Sequence, residues 1–498
     1  MIAAESTPNA RPLPPWTWVW IAVAVALRLW HVSVSSLHLD DFHTLHHAGA
    51  PTWSAFFESL RADNHPPLVP GLCRALGLGL EDPVLAFRLL QVALAVVLVY
   101  VAGRLGTRLG GKRAGHLAEA LIATSSLHLE SSTDLRMYGL LALLGAWLFH
   151  EFLDTIEGRP KPARLALVVA LGLSTHYHFI HALSGAVCLT VLVTLEPARR
   201  RAILPRLGLG IFGGLLLWSP WGVYGFLHQV FGHSLAPGTS TVHPLRVLQG
   251  FVHLSFHRTN VLGASAHLWL LPLAGLALGS AAGGVLTSVR RAPSISRLVL
   301  TAWFTFGIVL WSGVAAWLSP RAGFEYRYLV VSLAPFAVAV AVGLTRPGAF
   351  ERARTIGLCL LVGASGTLSI RLALDTGRED YRTAVESILD RSRATDGVLA
   401  ADWQPRIFPR SIGWRFYAPK LKSATQSLPI VLDHTPDFEF VEPDGKRPER
   451  VFVLTRSVPG NVGFFEALDS THQRVGARRF GRAVWVVEYL ERGLASAE

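Results

Sequence analysis

The chain is poor in cysteine and in charge. It has three cysteines in 498 residues and no CxxC pair, so neither a disulfide framework nor a thiolate metal site is indicated. Charged residues make up 16% of the chain, against 51% hydrophobic residues. That balance argues against an ordinary soluble enzyme of this size and indicates a polytopic membrane protein. A large soluble core is the weaker alternative, because core helices rarely stay apolar on every face.

Long apolar runs recur through the first three quarters of the chain. Each is about 20 residues long, enough to cross the hydrocarbon core of a bilayer. The first, "WTWVWIAVAVALRLW" at 16–30, is too long for a signal-peptide core and lacks a small-residue cleavage site, so we expect it to remain as a span. We predict about eleven spans, at 16–36, 85–103, 114–128, 136–154, 163–176, 181–196, 207–225, 266–288, 298–318, 327–345 and 355–374.

The basic residues are concentrated in short linkers between alternate runs. These linkers are "RLGTRLGGKR" (104–113), "EGRPKPAR" (157–164), "PARRRAILPR" (197–206), "VRRAPSISR" (289–297) and "RPGAFERAR" (346–354). They form the positive-inside pattern, which places them and the lead at 1–15 on the cytoplasmic side of an inner membrane. The pattern accounts for most of the net charge of +12, so nucleic-acid binding is not indicated.

The composition changes after residue 375. "REDYRTAVESILDRSRATDGVLAADW" reads as an amphipathic helix, a turn and a strand, and "RVFVLTR" and "RAVWVVEYL" are strand-like. We therefore predict a transmembrane domain at 16–375 and a small α/β domain at 376–498. An odd number of spans places this second domain outside the cytoplasm. Two long external loops are predicted, at 37–84 and 226–265.

The first external loop opens with "HLDDFHTLHH" at 38–47. Asp40 and Asp41 are candidates for a general base or a metal ligand, because ionisable groups with partners at a membrane boundary tend to be functional. The alternative is a solvated loop start. The same loop ends in "DNHPPL", where Asp63 and His65 precede two prolines that restrict the backbone and hold the imidazole in place.

Two further segments carry charge and aromatic side chains at external span ends. "STDLRMYGLLALL" contains Asp134, Arg136 and Tyr138, and the arginine is costly there unless it meets an anion. A snorkelling arginine paired with Asp134 is the alternative. "SPRAGFEYRYLVVSLAPF" contains Arg321, Arg327 and Tyr328, a combination suited to a lipid phosphate at the headgroup plane.

Histidines mark the remaining external end. "STHYHFIHAL" places His176, Tyr177 and His178 together. With His43 of the first loop, His176 and His178 are candidate ligands of a divalent metal, since neutral imidazole is a common ligand. No HExxH or similar spacing supports this, so structural histidines are the open alternative and the metal is unspecified.

The order of these motifs resembles bacterial membrane glycosyltransferases of family 39. That family belongs to the GT-C superfamily and is related to protein O-mannosyltransferases and to the aminoarabinose transferase of lipid A. The shared motifs, in chain order, are "LDD", "HPPL" (65–68), "TDLRMYGLLALL", "THY" (175–177), "RYLVVSLAP" and "EDYRTAVESI". The resemblance covers most of residues 20–390. It implies a GT-C fold with the α/β domain outside the membrane.

The resemblance also implies roles for individual residues. Asp40 matches the presumed catalytic base, and His65 the family histidine. Asp41 and Asp134 stand where the family usually has Glu. Arg136 and Arg327 match positions near the carrier phosphate. The implied activity is inverting transfer of a hexose, mannose-like sugar or pentose from a polyprenyl phosphate to an unidentified acceptor.

A ligase that moves a whole glycan rather than one sugar is a closer enzymatic alternative, and two functions of other classes also stay open at this point. A flippase or transporter of lipid-linked sugars would also be polytopic, but it would need charged residues at mid-membrane, often in repeated halves. The sequence shows no internal repeat, and its charges gather at external span ends. A non-catalytic relative that keeps the fold is the other alternative, and the Asp-for-Glu differences are compatible with it.

Overall fold

The chain forms two units in a computed structural model. The structure describes residues 14–77, 82–193, 197–231, 243–263, 265–290, 295–319, 324–348, 350–377, 379–401, 412–422, 429–434, 440–441, 448–456, 463–481 and 483–492. The first unit comprises Met1–Ser33 with His47–Ala373, and the second comprises Val34–His46 with Leu374–Glu498. The segment with Asp40 and Asp41 therefore belongs to the unit that contains the C-terminal residues.

The first unit is helical. Its helices are α1 (Pro15–Val34), whose last residue falls in the second unit, α3 (Trp53–Arg61), α4 (Leu68–Gly77), α5 (Pro83–Gly110), α6 (Lys112–Ala123), α7 (Ser126–Ser131), α8 (Tyr138–Ile156), α9 (Pro162–Thr175), α10 (Phe179–Val193), α11 (Pro197–Trp221), α12 (Leu227–Phe231), α13 (Pro244–Ser255), α14 (Ala266–Arg290), α15 (Ile295–Ala302), α16 (Ile308–Leu318), α17 (Leu333–Thr345) and α18 (Glu351–Ala373). The π-helical turns Gly222–Phe226 and Trp303–Gly307 and the 3₁₀ turns Thr259–Leu262 and Tyr326–Ser332 connect some of them.

Eight helical segments of the described chain are long and apolar enough to cross a membrane. They are Pro15–Val34, Pro83–Gly110, Tyr138–Ile156, Arg200–Phe231, Leu268–Thr287, Ile295–Leu318, Tyr326–Thr345 and Glu351–Ala373. They confirm a multi-pass membrane protein, and eight of the eleven predicted spans fall on them. The predicted spans at 114–128, 163–176 and 181–196 fall on helices of 12, 14 and 15 residues. Such helices are shorter than the roughly 20 residues that a span needs, so the count of eleven is not confirmed.

Two of the eight segments lie at the centre of the first unit. In the most apolar 18-residue stretch of each segment, 89% of the residues are buried in Tyr326–Thr345 and 78% in Tyr138–Ile156, against 22% in Pro15–Val34. Neighbouring helices can pack this closely because small residues face one another. A Cβ added to Gly284 of α14 would overlap the carbonyl oxygen of Ala339 in α17, and one added to Gly343 of α17 would overlap that of Ser280 in α14.

We expect Gly284→Ala to lower the stability of the protein by about 1–3 kcal/mol, since backbone atoms of α17 cannot swing away from the new methyl group. The matched control is Gly279→Ala on the same helix, where a Cβ meets nothing within 4 Å and the better helix propensity of alanine should leave stability unchanged or slightly raised. Thermal unfolding in detergent measures both. Equal unfolding temperatures for the two variants would show that α14 and α17 do not pack backbone to backbone.

Charged side chains tie several helices together at the end that carries the basic linkers. The Asp154 carboxylate of α8 lies 2.9 Å from Arg108 of α5 and 3.2 Å from Lys161. Glu157 lies 2.7 Å from Arg108 and 3.2 Å from Arg297 of α15. The charge of the predicted cytoplasmic linkers is therefore partly neutralised by one acid in the last turn of α8 and one directly after it, and these ion pairs hold that end of the helices together.

The second unit contains an α/β fold. Its helices are α2 (Leu39–Ala48), whose last two residues fall in the first unit, α19 (Tyr381–Leu389), α20 (Ile412–Leu421) and α21 (Gly463–Thr471), and its strands are β1 (Gly397–Ala401), β2 (Ile430–His434), β3 (Phe440–Val441), β4 (Arg450–Thr455), β5 (His472–Phe480) and β6 (Val484–Glu491). The six strands form one sheet in the order β3-β2-β1-β4-β6-β5. β1 is parallel to β2 and β4, and the other pairs are antiparallel.

The hydrophobic core on this sheet is formed mainly by β-branched and aromatic side chains of its strands. Val451 and Val453 of β4 and Val487 and Tyr489 of β6 are buried together with Leu399 of β1. Such residues pack well on a pleated surface. The sequence predicted the α/β composition of this unit, including α19 followed by β1, and the structure confirms it.

Candidate functional site

One end of the first unit gathers polar side chains from the loop between α3 and α4. Asp63 Oδ2 lies 2.9 Å from His65 Nδ1 and 3.0 Å from His47 Nε2. His47 Nδ1 lies 3.0 Å from Ser59 Oγ. An ionised carboxylate only accepts hydrogen bonds, so both imidazoles donate to Asp63. Pro66 and Pro67 follow directly and lead into α4, which fixes the position of His65.

These contacts keep Asp63 ionised. Burial by itself would raise the pKa of Asp63, but the electrostatic interactions with His65 and His47 and the hydrogen bonds from them outweigh it and hold the pKa well below its usual value. The ionised Asp63 then accepts the Nδ1 proton of His65, which leaves Nε2 of the same ring as the atom facing the rest of the site.

We expect Asp63→Asn to lower stability by about 1–3 kcal/mol at neutral pH, because two charge-assisted hydrogen bonds are lost. A depressed folded-state pKa stabilises the fold fully above the ordinary aspartate value of about 3.9 and progressively less as pH falls through the folded-state value. The difference between wild type and variant should therefore persist from pH 7 down to about 4 and shrink below that. Unfolding temperatures of both proteins across this range test it; a difference independent of pH would contradict the ionised state.

Arg136 contacts the other side of His65. Its Nη2 lies 2.7 Å from His65 Nε2, and its backbone oxygen accepts from Gln91 at 2.6 Å. A guanidinium only donates, so His65 Nε2 accepts and the ring is neutral with its proton on Nδ1. Asp63, His65 and Arg136 thus form a hydrogen-bonded triad in which each side chain orients the next. Arg136 is buried, with 5% of its surface exposed.

Aromatic side chains from three helix ends lie together in the same unit. The Tyr328 ring lies 4.3 Å from that of His178, 4.7 Å from that of His176 and 6.2 Å from that of Tyr138. The Arg327 guanidinium lies 5.6 Å from the centre of the Tyr138 ring. The start of α8, the turn after α9 and the turn before α17 therefore meet at one end of the helices.

This aromatic group and the Asp63–His65–Arg136 triad are neighbours. His176 is near enough to His65, Arg136 and Arg327 to interact with them electrostatically. The combination offers guanidinium groups beside aromatic and imidazole rings, which suits a phosphate attached to a sugar or a lipid. Arg321, also predicted for this role, lies outside the described residues.

Tyr177 is turned away from this group. Its hydroxyl donates to Gln229 Oε1 at 2.6 Å and accepts from Trp221 Nε1 at 3.0 Å, and its ring lies 4.8 Å from that of Phe226. Tyr177 therefore anchors the turn after α9 to α11 and α12, while His176 and His178 on either side join the aromatic group.

The structure adds an ionic cluster that the sequence reasoning did not identify. Glu130 Oε2 lies 2.7 Å from His257 Nε2 and 2.8 Å from Arg258 Nε, and His257 Nδ1 lies 3.2 Å from His253 Nδ1. Arg258 has φ 59°, in the left-handed region that favours glycine, so its paired contacts with Glu130 offset a strained backbone. The i, i+4 spacing of His253 and His257 in the second external loop was the available sequence signal.

Electrostatics ties this cluster to Asp134. Burial alone would raise the pKa of Glu130, but Arg258 and His257 hold it well below its usual value. Burial, together with the charge of His257, lowers the pKa of His253 to about 4. Asp134, half-buried in the turn before α8, is near enough to act on Arg258.

Asp40 and Asp41 lie in the first turn of α2, in the second unit. The position favours ionised carboxylates, because the N-terminus of a helix carries partial positive charge. Asp41 is fully buried, and its Oδ2 accepts from the backbone N–H of His38 at 3.1 Å. Asp40 and His43 are half-buried.

Packing within the second unit holds α2 in place. The Phe42 ring lies 5.5 Å from that of Tyr381 and 6.4 Å from that of Tyr417. The Leu37 N–H donates to the Tyr417 hydroxyl at 2.8 Å, and the Leu39 N–H donates to Glu379 at 2.7 Å. The position of the Asp40 backbone is therefore set by contacts that do not use its side chain.

The second unit also offers a pair of groups for a divalent metal. His38 Nδ1 and Asp41 Oδ2 lie 3.4 Å apart, which suits two ligands of one ion. A nitrogen and a carboxylate oxygen are donors that several divalent metals accept. The predicted ligand His43 lies on α2 with Asp41, and His38 directly precedes that helix, whereas His176 and His178 belong to the first unit.

Comparison with known proteins places the fold. No protein-family profile and no curated protein sequence matches the chain. Among solved structures, ArnT from Cupriavidus metallidurans bound to undecaprenyl phosphate is similar over 95% of this chain and 98% of that chain, at 13% identity and a TM-score of 0.56. The arabinofuranosyltransferase AftD from Mycobacteria is similar over 95% of this chain and 41% of that chain, at 14% identity and a TM-score of 0.50. The chain therefore has the fold of the GT-C glycosyltransferases, as its motif order predicted.

Proposed function

We propose that the chain is an integral membrane glycosyltransferase that moves a sugar from a polyprenyl phosphate to an acceptor on the outer face of the cytoplasmic membrane. The observation that carries the proposal is the hydrogen-bonded Asp63–His65–Arg136 triad, together with Arg327 over the Tyr138 ring, at one end of a GT-C helical unit. Guanidinium groups fixed by neighbouring contacts suit a phosphate that gains charge as a sugar leaves it. The acceptor is a protein, a lipid or a cell-envelope glycan.

The proposed reaction is an inverting displacement. Asp40 takes the proton of an acceptor hydroxyl or amine, and the acceptor atom attacks the anomeric carbon. The bond between that carbon and the phosphate oxygen breaks, and the electron pair leaves with the polyprenyl phosphate. Arg136 and Arg327 stabilise the negative charge on this leaving group.

Supporting residues position these groups. His65 accepts from Arg136 only while its proton stays on Nδ1, and Asp63 holds it there. Tyr138 and Tyr328 lie beside Arg327 and His176 and are proposed to contact the donor, as are Asp134 and Arg321. Tyr177, also predicted for this role, is proposed to support the site by anchoring the turn that carries His176 and His178. Asp41 and His38 are the residues that would hold a divalent cation, which would supply a Lewis acid to the reaction.

The test uses purified protein in detergent with radiolabelled polyprenyl-phosphate mannose and a panel of other polyprenyl-phosphate sugars. Saturable release of sugar from one donor, to an acceptor or slowly to water, is the expected result. The proposal would be overturned in favour of a flippase if no donor released sugar and intact donor moved between the two leaflets of vesicles that contain the protein.

A further inference from the structure

A cavity of about 650 Å³ lies in the first unit, between α1, α6, α17 and α18. Leu344 and Thr345, at the last turn of α17, line it. Tyr328 precedes the first residue of the same helix, so the cavity and the aromatic group lie at opposite ends of α17. The cavity is thus separate from the proposed donor site, on the side that the basic linkers place in the cytoplasm.

The mouth of the cavity is basic and aromatic. Arg113 of α6 and Arg346, just after α17, line it together with Trp16 and Trp20 of α1. The acidic side chain in the lining is Glu351, whose Oε1 lies 3.4 Å from Arg113. Two guanidinium groups against one carboxylate leave a net positive charge at the mouth.

The neighbouring histidine does not supply this charge. His116 lines the cavity, but its Nδ1 lies 3.3 Å from Glu119, a buried carboxylate that also accepts from the Thr17 hydroxyl at 2.9 Å. His116 is therefore engaged within the helix packing. The two arginines remain as the groups that favour an anion.

The wall beyond the mouth is apolar. Leu358, Val362 and Gly363 of α18 and Leu117 and Ala120 of α6 form it. The volume lies in the range of about 300–1,000 Å³ typical of ligand sites. An apolar wall below a basic, tryptophan-bearing mouth is complementary to an amphiphile whose head is anionic.

We propose that this cavity binds an anionic glycerophospholipid of the cytoplasmic leaflet. The phosphate lies between Arg113 and Arg346, and an acyl chain follows α18 past Gly363. Basic pockets between membrane helices on the cytoplasmic side are known to bind anionic headgroups. The proposal does not depend on the proposed sugar transfer.

The experiment reconstitutes the full chain in nanodiscs of phosphatidylcholine with a minority of phosphatidylglycerol and counts retained lipids by native mass spectrometry. Wild type should retain phosphatidylglycerol in preference to phosphatidylcholine. Arg113→Gln combined with Arg346→Gln should reduce that preference about fivefold or more, since each basic group near an anionic lipid contributes an attraction of that order. Arg352→Gln, an exposed position outside the lining, is the matched charge control and should retain the wild-type preference.

A second pair of variants tests the acyl-chain path. A Cβ added to Gly363 meets nothing within 4 Å, so Gly363→Leu adds a side chain to the proposed acyl-chain path and should reduce retention of the lipid. Gly279→Leu makes the same change at an equally open position of α14 outside the lining and should change nothing. Equal retention by Gly363→Leu and wild type overturns the proposal. Preferential retention of undecaprenyl phosphate added to the same nanodiscs would also overturn it, by assigning the cavity to the carrier.

Discussion

Asp40→Asn is expected to lower the rate of sugar transfer by about 10²–10⁴-fold, the contribution typical of a general base, and to lower the unfolding temperature only slightly. The rate falls because an amide cannot take the acceptor proton. The stability loss is limited to about 0.3–1 kcal/mol for a carboxylate in the first turn of a helix, because Phe42, Leu37 and Leu39 also hold α2 in place. The measurement is turnover with the donor that wild type accepts, beside a thermal unfolding curve.

The neighbouring Asp41 is expected to respond differently. It is fully buried, and its carboxylate accepts from the His38 backbone in the first turn of α2. Replacing it leaves that backbone N–H with a weaker acceptor, so Asp41→Asn should lower stability as well as rate. Comparing the two variants therefore distinguishes Asp40, the proposed base, from Asp41, whose carboxylate also stabilises the start of α2.

Asp390→Asn is the matched control for Asp40. Asp390 is an exposed carboxylate of the second unit at the end of α19, and its loss should change neither rate nor stability. If Asp40→Asn keeps near-normal turnover, Asp40 is not the base, and the proposed mechanism is wrong at its first step.

The sequence was sufficient for the fold where one physical constraint dominates. A bilayer demands long apolar helices, so composition alone located the eight segments that can span it. The predicted span at 114–128 is not confirmed, because the apolar run continues past the end of α6 at Ala123. There the Ser125 hydroxyl accepts from the His128 N–H at 3.2 Å and begins a new helix. A single capping serine lowers the mean hydropathy of a long window too little to reveal where one helix ends and the next begins.

The site was predictable only in part, because side-chain direction and long-range pairing are not local properties. His176, Tyr177 and His178 are consecutive, yet the tyrosine packs on α11 while both histidines join Tyr328. Glu130 meets His257 across 127 positions of chain. No motif links those two residues, so only the fold reveals the cluster.

Arg136→Gln is expected to lower turnover by about 10²–10³-fold, the loss typical when one donor to a developing negative charge is removed. Glutamine removes the charge and the planar fork that matches a phosphate. Arg136→Lys keeps the charge but not the planar fork, so its turnover should lie between those of wild type and Arg136→Gln. If the arginine acts on the leaving phosphate in the transition state, kcat should fall more than KM rises.

A second buried arginine separates this role from a structural one. Arg74 is 6% exposed, close to the 5% of Arg136, but it donates to the backbone oxygen of Ala48 at 2.9 Å and lies over the Trp53 ring. Arg74→Gln should therefore lower the unfolding temperature and leave the rate per folded molecule unchanged. Arg136→Gln should show the reverse. A loss of stability at normal turnover in Arg136→Gln would mean that its contact with His65 serves the fold alone, and the phosphate would then have to be stabilised by other groups.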